Sequence, residues 1–483
     1  MDNLWILTEE RPKPSVIFQI ACLYCKDFGA TIPCYDRLKV ENKVFAMPGY
    51  NKHITNSELT IRPIIINGIF QFTYIVEGIE ISGVNQIFIK TVSGSSSFFD
   101  FLVFKQETAP IDGQTNNLLM AIEETKTNDT ESRNTAVYQR SSKFVFIEPY
   151  TTSVKMYMLY NDELEERKDK KPSDTSIFGT NMLLTLGIPI IGKDISKWFK
   201  PFNSIEEMIR FKAGMRKPPE GNVPIEITEF ENRIEISGRL DKPAGEGNIG
   251  HDPSMGALSI ISKCIRHLGW KKDIVITKHG VSQEYINKTH GRNKFLYICA
   301  ILGLKLEGIT MPSTVSLPEL YWHYELSSEK MASILLHVVG EYHGLRGIYQ
   351  NHAGCERGYY KPPNGALIAL PKKDKYGENL YLPDLVLHDP KTSIIILVEG
   401  KKLSTLQKGI EEIENYGSIE NEYIKQHYPE CSIYRCVSIF GGKKTSIPHP
   451  AVILYLNEYG QIFVNPNAPN CVKEMFLQEG VSI

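Results

Sequence analysis

Apolar residues recur along this chain in two rhythms. Between residues 60 and 105, short apolar runs alternate with Gly and Asn turns: Ile61 to Ile66, Ile69 to Val76, Gln86 to Val92 and Phe98 to Phe104. Short apolar runs bounded by turn formers predict strands. Residues 118–126 form another, ending Ile122-Glu123-Glu124-Thr125-Lys126, and Phe144 to Ile147 reads the same way. The helical rhythm appears at residues 14–28 after Pro12 and Pro14, from Met255 to Gly269 with Asp252 or Ser254 as N-cap, and at residues 328–344. Glu131 to Lys143 is polar and helix-capable.

Three soft segments interrupt these runs. Asn161 to Pro172 is dense in charge, Lys217 to Val223 holds Pro218, Pro219 and Gly221, and Lys242 to Gly250 holds three glycines. No short internal period is found. At 483 residues the chain exceeds one core. Three regions are expected: 1–165, 166–325 and 326–483.

Composition narrows the function classes. The chain is 42% hydrophobic, and its longest apolar runs fall short of a membrane span. Met1-Asp2-Asn3-Leu4 has no basic region, so a signal peptide is not expected. Nine irregularly spaced cysteines favour a reducing, cytoplasmic setting. Cys22-Leu23-Tyr24-Cys25 has zinc-like spacing but no second pair, and reads as buried free thiols. A net charge of −2 argues against a polycation-type nucleic-acid binder and leaves room for a local basic face.

The chemistry gathers near the C-terminus. Leu382-Pro383-Asp384-Leu385-Val386-Leu387 and Ile394-Ile395-Ile396-Leu397-Val398-Glu399-Gly400-Lys401-Lys402 are apolar runs with carboxylates at one end. His388 to Ser393 between them is rich in turn formers, so the runs predict a hairpin. Asp384 and Glu399 then face each other, and Lys401 shares a face with Glu399 because strand side chains repeat with period two. Two carboxylates and an ammonium at a sheet edge suit a hard divalent cation that activates water, hence hydrolysis of a phosphodiester. A weaker echo lies upstream. Phe99-Asp100-Phe101 places an acid on an apolar run, and Glu124-Thr125-Lys126 ends the next one. An ionised Asp among phenylalanines is costly unless paired or metal-bound.

Pro383-Asp384 with Glu399-Gly400-Lys401 resembles the PD-(D/E)XK nuclease core, with a hairpin similar in length to that of FokI-type cleavage domains. Asp100 with Glu124 and Lys126 resembles a second copy. Gln139-Arg140-Ser141-Ser142-Lys143 resembles the Glu-Arg-x-x-Lys recognition segment of EcoRI-like enzymes, although Gln139 replaces Glu and Asp100 lacks the preceding proline. Together these resemble type IIS restriction endonucleases with two sites in one chain. The resemblance implies an α/β protein of mixed sheets. An EcoRI-like domain (1–165) and a FokI-like domain (326–483) would be joined by a mainly helical DNA-binding region (166–325). It implies Mg²⁺ held by Asp384, Glu399, Asp100 and Glu124, with Glu341 as an extra helix-borne acid, and Lys401 and Lys126 acting on water. It also implies a monomeric, cytoplasmic enzyme cutting double-stranded DNA at an asymmetric site, with a cognate DNA methyltransferase. By analogy alone the site contains GAA.

Asn134, Gln139, Arg140 and Lys143 are the candidates for base-edge contact. Lys278, His279, Lys288 and Arg292 mark a second candidate DNA face. For both sets the plainer reading is an exposed polar surface. Two other classes fit the same residues: a single-site nuclease that dimerises to cut, and a non-cleaving DNA-binding protein with a degenerate nuclease fold. A structure-specific repair nuclease is a further candidate.

Overall fold

The computed structural model describes residues 1–9, 11–32, 59–94, 99–125, 136–147, 153–160, 172–191, 198–215, 224–241, 247–250, 252–289, 293–315, 320–322, 329–351, 359–364, 368–371 and 373–483. Three principal sheets organise it, each mixing parallel and antiparallel pairs.

The first sheet has eight strands. They are β1 (Asn3–Thr8), β2 (Thr60–Ile66), β3 (Ile69–Glu77), β4 (Ile87–Thr91), β6 (Phe101–Gln106), β7 (Leu118–Thr125), β8 (Lys155–Tyr160) and β9 (Ile190–Ile191). Their order is β2-β3-β4-β1-β6-β7-β8-β9. A two-residue strand, β5 (Ser93–Gly94), lies outside it. Helix α1 (Pro14–Phe28) shares one apolar cluster with this sheet; α2 (Ala136–Ile147) and α3 (Asp174–Thr185) share another with it. The run Phe144 to Ile147, expected as a strand from its apolar residues, is helical. All four residues are buried, and α2 packs along α5 (Asp252–His267). Covered on every side, the run loses the polar spacing that separates helix from strand.

The middle region, expected to be mainly helical, combines helices with a four-stranded sheet. Helix α4 (Ile205–Gly214) is followed by β10 (Glu226–Glu229), β11 (Arg233–Ser237), α5, β12 (Asp273–Thr277), α6 (Gln283–Thr289), α7 (Lys294–Leu302) and β13 (Leu304–Leu306). β11, β12 and β13 are parallel, with the helices as crossovers. Strand β14 (Tyr321–Trp322) pairs back onto β5.

The third sheet follows α8 (Met331–Tyr342). Its six strands are β15 (Arg346–Gln350), β18 (Leu385–Asp389), β19 (Ile394–Lys402), β20 (Ser432–Phe440), β21 (Val452–Leu456) and β22 (Ile462–Val464), in that order. The small pair β16 (Tyr359–Tyr360) and β17 (Ile368–Ala369) lies outside it. Every residue of β18 is buried, because helices cover both faces; this is why the strand reads as a continuous apolar run. The β18–β19 turn is closed by Asp389, whose Oδ1 accepts the Lys391 N–H at 3.0 Å and whose Oδ2 accepts the Thr392 hydroxyl at 2.5 Å. α8 covers one face. α9 (Leu406–Glu414) and the helical turns over residues 417–427 cover the other. Helix α10 (Asn470–Gln478) closes the chain.

The first and third sheets are joined. The N–H of Phe70 donates to the Gly460 carbonyl at 2.7 Å and that of Ile462 to the Gly68 carbonyl at 3.1 Å. One apolar cluster runs through both, with α1 and α8 inside it. No helix among the described residues is long and apolar enough to cross a membrane.

Candidate active sites

Asp384 stands one residue before β18. Its N–H donates to the Val398 carbonyl at 3.0 Å, which fixes it at the open end of the hairpin. Its carboxylate turns inward, and Oδ2 accepts the Gly400 N–H at 2.9 Å. Strand alternation sends Glu399 and Lys401 to the face of Leu397, under α9, and sends Val398 and Gly400 to the α8 face. Glu399 and Lys401 are both buried. Lys401 Nζ bonds Glu399 Oε1, and bonds Glu412 Oε2 of α9 at 2.8 Å. The Tyr416 hydroxyl, on the turn after α9, donates to Glu399 Oε2.

Two glycines permit this packing. A Cβ on Gly400 would lie 3.0 Å from Asp384 Oδ2, 3.1 Å from the Glu329 carbonyl and 3.1 Å from Ser333 Oγ. A Cβ on Gly409 would lie 2.7 Å from Lys401 Cγ. The strand can therefore meet the first turn of α8 on one side, and the Lys401 stem can cross α9 on the other.

The electrostatics follow from burial. Asp384 is pushed up to about 6 by burial and by the charge of Glu329, against the Gly400 N–H, Lys401 and Lys330. Glu399 is pushed up to about 8 by burial and by Asp384, against its bonds from Lys401 and Tyr416. Burial opposes the charge on Lys401, but Glu399 and Glu412 outweigh it and hold the ammonium above its ordinary range. Tyr416 is raised by burial and by Glu399.

A related cluster sits at the β6–β7 hairpin. Asp100, one residue before β6, accepts the Glu124 N–H on Oδ2 at 2.6 Å, and its own N–H donates to Glu123 Oε2 at 3.3 Å. Lys143 of α2 bonds Glu123 Oε1 at 2.6 Å and lies 4.0 Å from Asp100 Oδ1. Arg140 Nε donates to the Glu124 carbonyl at 3.1 Å and lies 3.5 Å from Glu123 Oε1. Glu124 points to the opposite face, with Oε1 3.8 Å from Lys13 Nζ. Burial works against the Lys143 ammonium, but Glu123 and Asp100 outweigh it and raise its pKa. Arg140 and Lys143, expected at base edges, thus turn to the acids of the hairpin. Lys126, Asn134 and the Gln139 side chain lie outside the described residues.

The remaining expectations scatter. Glu341 is not beside Asp384: it lies eight residues along α8 from Ser333, about 12 Å at the helical rise. There it pairs with Arg11 and lies 3.2 Å from His337 Nε2. The acid near Asp384 is Glu329, at the head of the same helix. His279 is buried, with Nε2 2.9 Å from the Glu307 carbonyl and Nδ1 accepting the Val281 N–H at 2.9 Å. Both ring nitrogens hold the local loop. Lys278 is exposed, as is Lys288, which pairs with Glu284 at 2.5 Å. Arg292 lies outside the described residues. Cys22 and Cys25 are free thiols, both raised by burial.

Tyr416, Glu412, Glu329 and Glu123 were missed in the sequence. Glu412 lies on α9 and Tyr416 on the turn that follows it, four residues further on. Among the described residues, no group of three or more His, Cys, Asp or Glu side chains is arranged to hold a metal ion. Compared with protein-family models, with curated proteins and with solved structures, the chain gives no match.

Proposed function

We propose that the chain is a Mg²⁺-dependent, sequence-specific DNA endonuclease of the PD-(D/E)XK kind. It would resemble the type IIS restriction enzymes, with one active site for each strand. The observation that carries this reading is the end of the β18–β19 hairpin. Asp384, Glu399 and Lys401 gather there in a frame of one helix, three antiparallel strands, a helix and a parallel strand. Support for a second site comes from strand order. The pairings antiparallel, antiparallel, parallel and parallel run through β15-β18-β19-β20-β21 and again through β1-β6-β7-β8-β9.

The donor chemistry fits a hard cation. Mg²⁺ takes one or two carboxylates and completes its shell with water and phosphate oxygens, so it does not need three protein acids. Asp384 raises the protonation of Glu399 when no cation is near, and a divalent charge would reverse that effect. These two residues would hold the ion. Bound Mg²⁺ would polarise the phosphate and lower the pKa of water. Lys401 would orient the attacking water and offset charge on the phosphorane-like transition state. Glu399 would hold the ion in place of part of its bonding to Lys401 and Tyr416. In the reaction a water oxygen bonds to phosphorus, the bond to the leaving oxygen breaks, and one phosphomonoester and one hydroxyl result. Exposed Lys278 and Lys288 would contact phosphates, making affinity fall with salt.

Digestion of sequenced plasmid DNA with Mg²⁺ or with chelator tests the reading. Discrete Mg²⁺-dependent ends support it; binding without cutting refutes it. The latter outcome is the second reading, a non-cleaving DNA-binding protein. It is favoured by one observation: both oxygens of Glu399 already hold protein partners.

A further inference from the structure

The two hairpin ends correspond residue by residue through strand register. Leu385 lies opposite Val398, and Phe101 lies opposite Ile122. In each hairpin the residue before the first strand is Asp. In each, its Oδ2 accepts the N–H two residues beyond the opposing position, from Gly400 in one case and Glu124 in the other. Gly400 therefore matches Glu124, and Glu399 matches Glu123. Lys401 matches Thr125, which carries no ammonium.

The faces agree with this register. Glu399 shares a face with Leu397 toward α9, and Glu123 shares a face with Ala121 toward α2. Each of these helices follows its hairpin in the chain. Glu124 points the other way, beside Lys13. The missing ammonium arrives from α2, where Lys143 meets Glu123 at 2.6 Å and Asp100 at 4.0 Å. In the C-terminal hairpin the strand gives the lysine and the helix gives an acid, Glu412. In the N-terminal hairpin the strand gives the acid and the helix gives the lysine.

Within the two-site reading, on which this rests, we infer that Asp100, Glu123 and Lys143 are the catalytic set for the second strand. Glu123 takes the metal-ligand role that spacing gives to Glu124, and Lys143 takes the role that spacing gives to Lys126. The step is the same hydrolysis, with water adding to phosphorus and the leaving oxygen departing.

The test uses the full chain, Mg²⁺ and a panel of sequenced supercoiled plasmids. Wild type should linearise its substrate. E123Q and K143A should stop at open circles, with cutting of one strand slowed about 100-fold or more. K143R should recover part of that rate. Continued nicking of the other strand by E123Q reports that the chain is folded. If E123Q abolishes both cuts, K143A carries the decision. Linear product from K143A and E123Q at the wild-type rate overturns the assignment and leaves two-site cleavage standing. No Mg²⁺-dependent cutting by wild type removes the underlying reading, and the assignment with it.

Discussion

Two hairpin ends in this chain carry a carboxylate pair, and they differ in where the positive charge comes from. At β18–β19 the ammonium of Lys401 stands two residues after Glu399 on one strand, and α9 braces it with Glu412. At β6–β7 the strand offers Thr125 in that place, and Lys143 reaches in from α2. The acids keep the same register in both because the hairpin fixes them: Asp binds a backbone N–H of the opposing strand, and the next acid lies on the face of the following helix. The ammonium is less constrained. A long, flexible side chain can deliver its head group from a strand or from a helix packed on that strand. Backbone topology thus sets the position of the acids, while side-chain reach sets the source of the cation.

The difference can be probed by removing each part. K401A should have the largest effect, slowing cleavage of one strand by about 100-fold or more while the other strand is cut normally. Strand-resolved gels check this; equal slowing of both strands would mean that the two ends do not work separately. G400A should come next. The matching position upstream is Glu124 and tolerates a side chain, whereas a Cβ on Gly400 meets Asp384, Glu329 and Ser333 at 3.0–3.1 Å. A loss of about 1–3 kcal/mol in urea unfolding is expected, and an unchanged midpoint would contradict the tight fit to α8.

Protonation gives a third probe. Glu399 rises from 4.5 to about 8 and Asp384 from 3.8 to about 6 on folding, so the folded state holds protons that the unfolded chain releases. Without Mg²⁺, stability from this pair is intact at low pH and is lost as pH rises from 3.8 toward about 8. Mg²⁺ should therefore raise Tm more at pH 8 than at pH 5.5, and E399Q should remove most of that difference. A Mg²⁺ effect independent of pH would argue against a cation at Glu399. Y416F should have the smallest effect. The Tyr416 hydroxyl lowers the pKa of Glu399, so its loss should move the acid limb of the pH–rate profile upward by about one unit or less. No movement would leave Tyr416 as packing only.

Much of this arrangement was legible in the sequence, and the illegible parts share causes. The β18–β19 hairpin could be read because Pro383, two apolar runs and a turn of Asp389-Pro390-Lys391 agree. Residues 14–28 could be read as a helix because proline and an apolar face mark it. Phe144 to Ile147 could not, since a run buried on every side carries no period. The strands of the middle sheet are short, and β11 buries Ile234 and Ile236 around a half-buried Glu235, with exposed Arg233 before them. In the upstream cluster, adjacent Glu123 and Glu124 gave two possible registers, and only the pairing Phe101 opposite Ile122 decides the face each one takes. Lys143 was read as a base contact because a helix partner brought in by tertiary packing leaves no mark in local spacing. Glu341 was misplaced for a similar reason: the helix was read correctly, but the end that meets Asp384 is the one bearing Glu329.

The most direct measurement is strand-resolved cleavage of a mapped duplex by wild type and by D384A in Mg²⁺. Asp384 anchors the C-terminal set through Gly400. The expected result is a D384A enzyme that cuts one strand at the wild-type position and rate and leaves the other intact. Cutting of both strands by D384A at the wild-type rate would contradict the assignment of that hairpin as an active site.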